Sequence, residues 1–221
     1  MARMHETPTG TTVRHLMAAC LAVVLAGPLH ADTYHRSLST AEQQSLQQQA
    51  MILLEPDIEI GLRQRTAAAD SLVRMRSLES TAALNDALRS GRTEPILAVL
   101  MAEAGQPEPS PDLLPALLAI LPTAPDDTVG SIGVLLARYA AAGSSCFQTI
   151  STLALDVDRP VDSRMHAVEV LGAFHAHPMP SIRVRMPLIE QDTTPAPLVE
   201  RAMTSLQSLT GRTMSRDAWI Q

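Results

Sequence analysis

Arg164-Met165-His166-Ala167-Val168-Glu169-Val170-Leu171-Gly172-Ala173-Phe174 is the stretch that decides the fold. Its apolar positions Ala167, Leu171 and Phe174 recur at helical spacing. Thirty-five residues earlier stand Ile132, Leu136 and Tyr139, and thirty-five later stand Ala202, Leu206 and Leu209. Three anchors repeating at one spacing mean that successive helices present the same face to the same kind of neighbour. Earlier in the chain the period is looser, with Leu72 and Leu100 only 28 apart.

Working outward, the chain reads as helices in pairs. Ser39 and Glu42 form a capping-box signature, and the helix they open runs to about Leu54, before Pro56. Asp57 is the expected cap of the next helix, with Ile58, Leu62, Ala68, Ala69, Leu72 and Met75 at helical spacing. Its partner carries Ala82, Leu84, Ala87 and Leu88 and is stopped by Ser90-Gly91. Glu94 to Ala104 is a helix, and Ser110 caps another with Pro111 at its first position. Further helices run from Asp126 or Asp127 to Ala142, from Ser144 to about Leu155, and from Asp162 or Ser163 to Phe174. A less regular one spans Ser181 to Glu190, and Thr194-Pro195 caps the last, which Gly211 ends. The expected fold is all-α, a short right-handed α-solenoid of antiparallel helix pairs in which each unit buries the face its neighbour exposes. An irregular helical bundle is the alternative.

Composition narrows function. Every basic residue is arginine, and after Ala31 the chain holds 15 Arg against 22 Asp plus Glu, about −7. An acidic chain with five aromatics in all, Tyr34, Tyr139, Phe147, Phe174 and Trp219, lacks both the basic face and the stacking platforms of a nucleic-acid binder. Protein partners fit this composition better.

The first thirty residues read as an export signal. Arg3 and Arg14 precede an apolar run from Leu16 to Leu25, Gly27-Pro28 breaks it, and Ala31 offers a small residue before a polar segment. The run is too short to span a bilayer and nothing later replaces it, so no integral membrane span is expected. Cleavage after Ala31 leaves Asp32 first, in the periplasm or at the cell surface. The competing reading takes Met17-Ala18-Ala19-Cys20 as a lipobox with Cys20 lipid-anchored, although most of the apolar core follows Cys20. Cys146 would then be the single cysteine of a chain cut after Ala31, without a disulfide and without a local base.

Sites of chemistry are sparse. His166, His175 and His177 with Met179 suggest a soft metal such as Cu or Zn, but no i, i+4 pair sets two imidazoles on one face. Asp156-Val157-Asp158-Arg159-Pro160-Val161-Asp162 begins like a calcium loop, yet lacks its turn glycine and closing glutamate. Ser144, Ser145 and Ser151 sit in no nucleophile elbow, and without lysine no Schiff base can form. Asp126-Asp127 adjoin at a helix start, where carboxylates favour the dipole. No catalytic, cofactor-binding or metal-binding residue is assigned, and no cofactor is expected.

Arg65-Thr66-Ala67-Ala68-Ala69-Asp70-Ser71-Leu72 and Arg164 to Gly172 resemble first helices of bacterial HEAT-like repeats. Leu206-Gln207-Ser208-Leu209-Thr210-Gly211, followed by Asp217 and Trp219, resembles the closing segment of such arrays, with Trp219 lying over the last hairpin. Such arrays often continue past the Trp with a further aromatic; this chain stops at Gln221, so the cap is minimal or cut short. The resemblance covers Asp57 to Trp219. With the export signal this divides the chain into 1–31 as signal peptide, 32–56 as an N-terminal helix and linker, and 57–221, which the resemblance implies to be a HEAT-like repeat domain with a C-terminal cap. It also implies a non-catalytic scaffold for protein–protein interaction in the cell envelope, binding through the second helices, in parts of Leu78–Arg89, Asp112–Leu121 and Cys146–Leu155. The alternatives are an envelope metal-binding protein using the His/Met cluster, or an accessory subunit of a larger complex.

Overall fold

A computed structural model describes residues 37–56, 59–176 and 178–220. The expected signal peptide with Cys20 and Ala31, the cap Asp57, His177 and Gln221 lie outside the described residues. Among the described residues all regular structure is helical, with no strand. The α-helices are α1 (Thr40–Leu54), α2 (Leu62–Met75), α3 (Leu78–Arg89), α4 (Thr93–Ala104), α5 (Leu114–Ile120) and α6 (Asp126–Ala141). They continue with α7 (Cys146–Leu155), α8 (Val161–Leu171), α9 (Pro178–Glu190), α10 (Ala196–Thr210) and α11 (Arg216–Ile220).

Local chemistry explains several of the helix ends. Ser39 Oγ accepts the Glu42 N–H at 3.4 Å while Glu42 Oε2 accepts the Ser39 N–H at 2.9 Å, the reciprocal box expected at α1. Ser77 and Ser80 repeat the device at α3. Gly211, at φ 69°, takes the left-handed conformation that ends α10.

Four expected starts are displaced. α2 begins at Leu62 with Gly61 as its N-cap, not at Asp57, and Glu59-Ile60 form a turn whose Ile60 carbonyl accepts Arg65 Nε at 3.1 Å. Ser110 makes no side-chain cap. Pro111–Leu113 is a 3-10 turn, because Pro115 has no N–H to offer the Pro111 carbonyl and Leu114 donates to it instead. Ser163 and Ser181 are buried inside α8 and α9 rather than capping them, and Ser163 Oγ donates to Pro122 O at 2.8 Å.

Packing alternates along the chain. α2, α4, α6, α8 and α10 each pack on the next member of that series, and α1, α3, α5, α7, α9 and α11 do the same in theirs. Neighbours in sequence join the two series, as α1 with α2 and α7 with α8. The repeating anchors Ile132, Leu136, Tyr139, Ala167, Leu171, Phe174, Ala202 and Leu206 are all buried, and Leu209 is half-buried. Each fully buried Leu or Phe contributes about 1.5–3 kcal/mol. Between α8 and α10 the bridging side chains lie 32 and 37 residues apart, Arg201 to Glu169 and Ser205 to the Val168 carbonyl. Between α2 and α4 the bridging pairs are Thr66 with Met101, 35 apart, and Arg65 with Glu94, 29 apart, so the spacing is less uniform there. No helix among the described residues is long and apolar enough to cross a membrane.

Candidate functional site

Arginines close the helix ends. Arg65, fourth residue of α2, is buried and donates from Nη1 to Leu53 O at 2.9 Å and Ile52 O at 3.1 Å, closing the C-terminus of α1. Arg164 holds the same position in α8 and donates from Nε to Ala154 O at 3.1 Å, closing α7. Arg138 of α6 reaches the carbonyls of Glu103, Ala104 and Gln106 at the end of α4. Each guanidinium supplies donors and positive charge to helix ends that have orphan carbonyls and a negative dipole. Sequence reading had singled out the segments beginning at Arg65 and Arg164 but not this use of the arginines. The available signal was an arginine one turn into a first helix, followed by small apolar residues.

The joint between α4 and α6 gathers the most perturbed groups. Glu103 is fully buried, accepts the Ser110 backbone N–H, and has its second carboxylate oxygen unpartnered. Burial pushes its carboxyl above the ordinary range, opposed by the Ser110 N–H and the Arg138 charge. Tyr139 donates its hydroxyl to Ser110 O. Burial, then the Glu103 and Asp112 charges, hold its phenol up. Burial likewise raises the thiol of Cys146, which contacts Ser144 Oγ and Leu136 O at 3.1 and 3.4 Å. A thiol held protonated is a poor nucleophile.

A carboxyl whose folded pKa is raised contributes stability below its unfolded value of 4.5, and that contribution is lost as pH rises. Glu103→Gln is therefore expected to raise the thermal midpoint at pH 7, with the gain vanishing below about pH 4.5. Thermal denaturation of both chains across pH 4–8 checks the sign. A gain that persists at pH 4 contradicts it.

Among the described residues, the His/Met cluster of the alternative metal reading does not gather around His166. This residue is nearly buried in α8, with Nδ1 3.0 Å from Leu121 O and Nε2 3.0 Å from Asp126 Oδ1. Both ring nitrogens face acceptors, so the ring ties α8 to the segment between α5 and α6. His175 and Met179 are exposed beyond the C-terminal end of α8. Among the described residues no three His, Cys, Asp or Glu side chains converge as a metal site. In the calcium-like segment, Asp156 Oδ1 accepts the Asp158 N–H at 3.1 Å and Oδ2 lies 3.4 Å from Arg159 Nε. Ser151 Oγ donates to its own helix at Phe147 O.

Two features remain. A shallow apolar groove runs between α6 and the segment after α8, lined by Val134, Ala137, Ala141 and Ala173, with Arg138 and His175 at its edges. It lies away from the second-helix surface expected from the sequence. Val134 in it is 56% exposed. The other feature is Arg185 of α9, fully buried with all three guanidinium nitrogens unpartnered, beside the equally buried and unpartnered Ser181. Burial lowers the Arg185 pKa to about 10, which leaves it charged at neutral pH, and no carboxylate compensates it. Burying such an ion costs several kcal/mol.

No family model, curated protein or solved structure matches this chain.

Proposed function

We propose that the chain is an exported, non-catalytic scaffold of the HEAT-like kind, a short right-handed solenoid of antiparallel helix pairs that binds another protein in the cell envelope. The observation that carries this reading is the double series of contacts, each helix packing on the next but one throughout the described residues. In a solenoid each unit contacts only its neighbours, and terminal units need a cover. Trp219 of α11, half-buried against the core, and the packing of α11 on α9 support a capping role at that end. The strongly perturbed groups Glu103 and Tyr139 engage the joint between α4 and α6, which favours a structural part for them.

The partner-facing surface in this reading includes the groove beside Val134, whose exposed apolar lining suits insertion of an apolar side chain. Crosslinking in the native envelope with the mature chain as bait, read by mass spectrometry, is expected to recover one stoichiometric protein. Val134→Glu is expected to lose it while circular dichroism stays unchanged. Equal recovery by the folded variant would remove the groove from the interface, and a folded monomer that crosslinks to nothing would count against the scaffold.

A further inference from the structure

We propose that Ser181 and Arg185, one turn apart on the buried face of α9, form a binding site for an oxyanion, a phosphate or a carboxylate group. Both side chains are wholly inaccessible, and four polar atoms between them, Ser181 Oγ and Arg185 Nε, Nη1 and Nη2, have no partner. Residues four apart on a helix lie on one face, so the hydroxyl and the guanidinium share the buried face of α9.

The comparison with the other interior arginines is the core of the case. Arg65 and Arg164 are also buried, and both donate to the carbonyls of a preceding helix end, Arg65 pairing with the Glu94 carboxylate as well. Arg185 makes no such contact and faces no carboxylate, so its charge is the one these capping bonds do not explain. A guanidinium presents its N–H groups as a planar fork that matches two oxygens of a carboxylate or phosphate, and a serine hydroxyl adds a third donor. Water would satisfy the donors and leave the charge uncompensated; an oxyanion does both. Because the site is enclosed, the anion is taken up as α9 docks on α7, α10 and α11. The last of these is held to the end of α9 by Arg216, whose Nε lies 2.8 Å from Ile189 O. This inference is independent of the scaffold reading.

The test is thermal unfolding of the purified chain at constant ionic strength, with inorganic phosphate or acetate as the probe. At roughly 100 times its dissociation constant the bound anion is expected to raise the midpoint by roughly 5–10 °C. Arg185→Met should abolish that increment, and Ser181→Ala, which keeps the charge, should reduce it. A response to phosphate alone assigns a phosphate group. A response to acetate alone assigns a carboxylate, the chemistry of a small organic acid. An increment of equal size in Arg185→Met, or none with either anion in the parent chain, overturns the proposal. Should Arg185→Met fail to fold, Ser181→Ala decides the matter by the same comparison.

Discussion

Leu171→Ala is expected to lower the free energy of unfolding by about 3–5 kcal/mol and the thermal midpoint by roughly 10 °C. Leu171 is fully buried in α8, which packs on α6, α7 and α10, so the space left by its side chain has few ways to collapse. The same substitution at Leu136 and Leu206 extends this into a test of architecture. α6 and α10 each pack on α8. In an array with nearest-neighbour contacts, Leu136→Ala and Leu206→Ala should add to within about 0.5 kcal/mol, while Leu136→Ala and Leu171→Ala should couple by about 1 kcal/mol. Denaturant unfolding of the single and double variants measures both. Coupling between 136 and 206 as large as that between 136 and 171 would mean one shared core, and the solenoid would give way to the bundle.

The anchors were legible because burial on a helix face leaves a periodic trace. Ile132, Leu136 and Tyr139, with their counterparts 35 and 70 residues on, needed no knowledge of their neighbours to be recognised as a core stripe. Capping signals that act within three residues, such as Ser39 with Glu42, were legible for the same reason. Signals that compete with distant partners were not. Ser163 resembles a cap in sequence, but its hydroxyl is claimed by Pro122 O, 41 residues away. Ser181 resembles a helix start, but α9 already begins at Pro178 and encloses it.

The candidate sites were less legible than the fold, since their parts are charged residues read from sequence as surface. Arginine is almost never fully buried unless paired; only a place one turn into a first helix marks Arg65 and Arg164, and nothing local marks Arg185. What distinguishes them is the helix end that each meets or, for Arg185, fails to meet. The histidines illustrate the converse. His166, His175 and His177 look like a group along the chain, yet the fold commits His166 to Leu121 O and Asp126, and the apparent cluster loses the member that α8 holds.

Gly133→Leu is expected to destabilise the chain by about 3 kcal/mol or more, whereas Gly133→Ala should change it by less than about 1 kcal/mol. A Cβ at Gly133 would stand 3.1 Å from Val170 Cα and 3.4 Å from Val170 O, so α6 and α8 approach each other here almost backbone to backbone. For alanine two effects of similar size oppose. Replacing glycine in a helix interior gains about 1 kcal/mol, and a contact a few tenths of an ångström too close costs a comparable amount. For leucine the propensity gain is no larger, but three further carbons must enter a space bounded by main-chain atoms and the Ala173 side chain at 3.5 Å. Main chain cannot rotate aside, so the helices must separate and the buried Ile132, Leu136 and Leu171 nearby lose packing with them. Equilibrium denaturation of the two variants distinguishes these outcomes. A leucine variant as stable as the alanine one would show that the α6–α8 contact yields at little cost, and that this pair of helices does not set the spacing of the array.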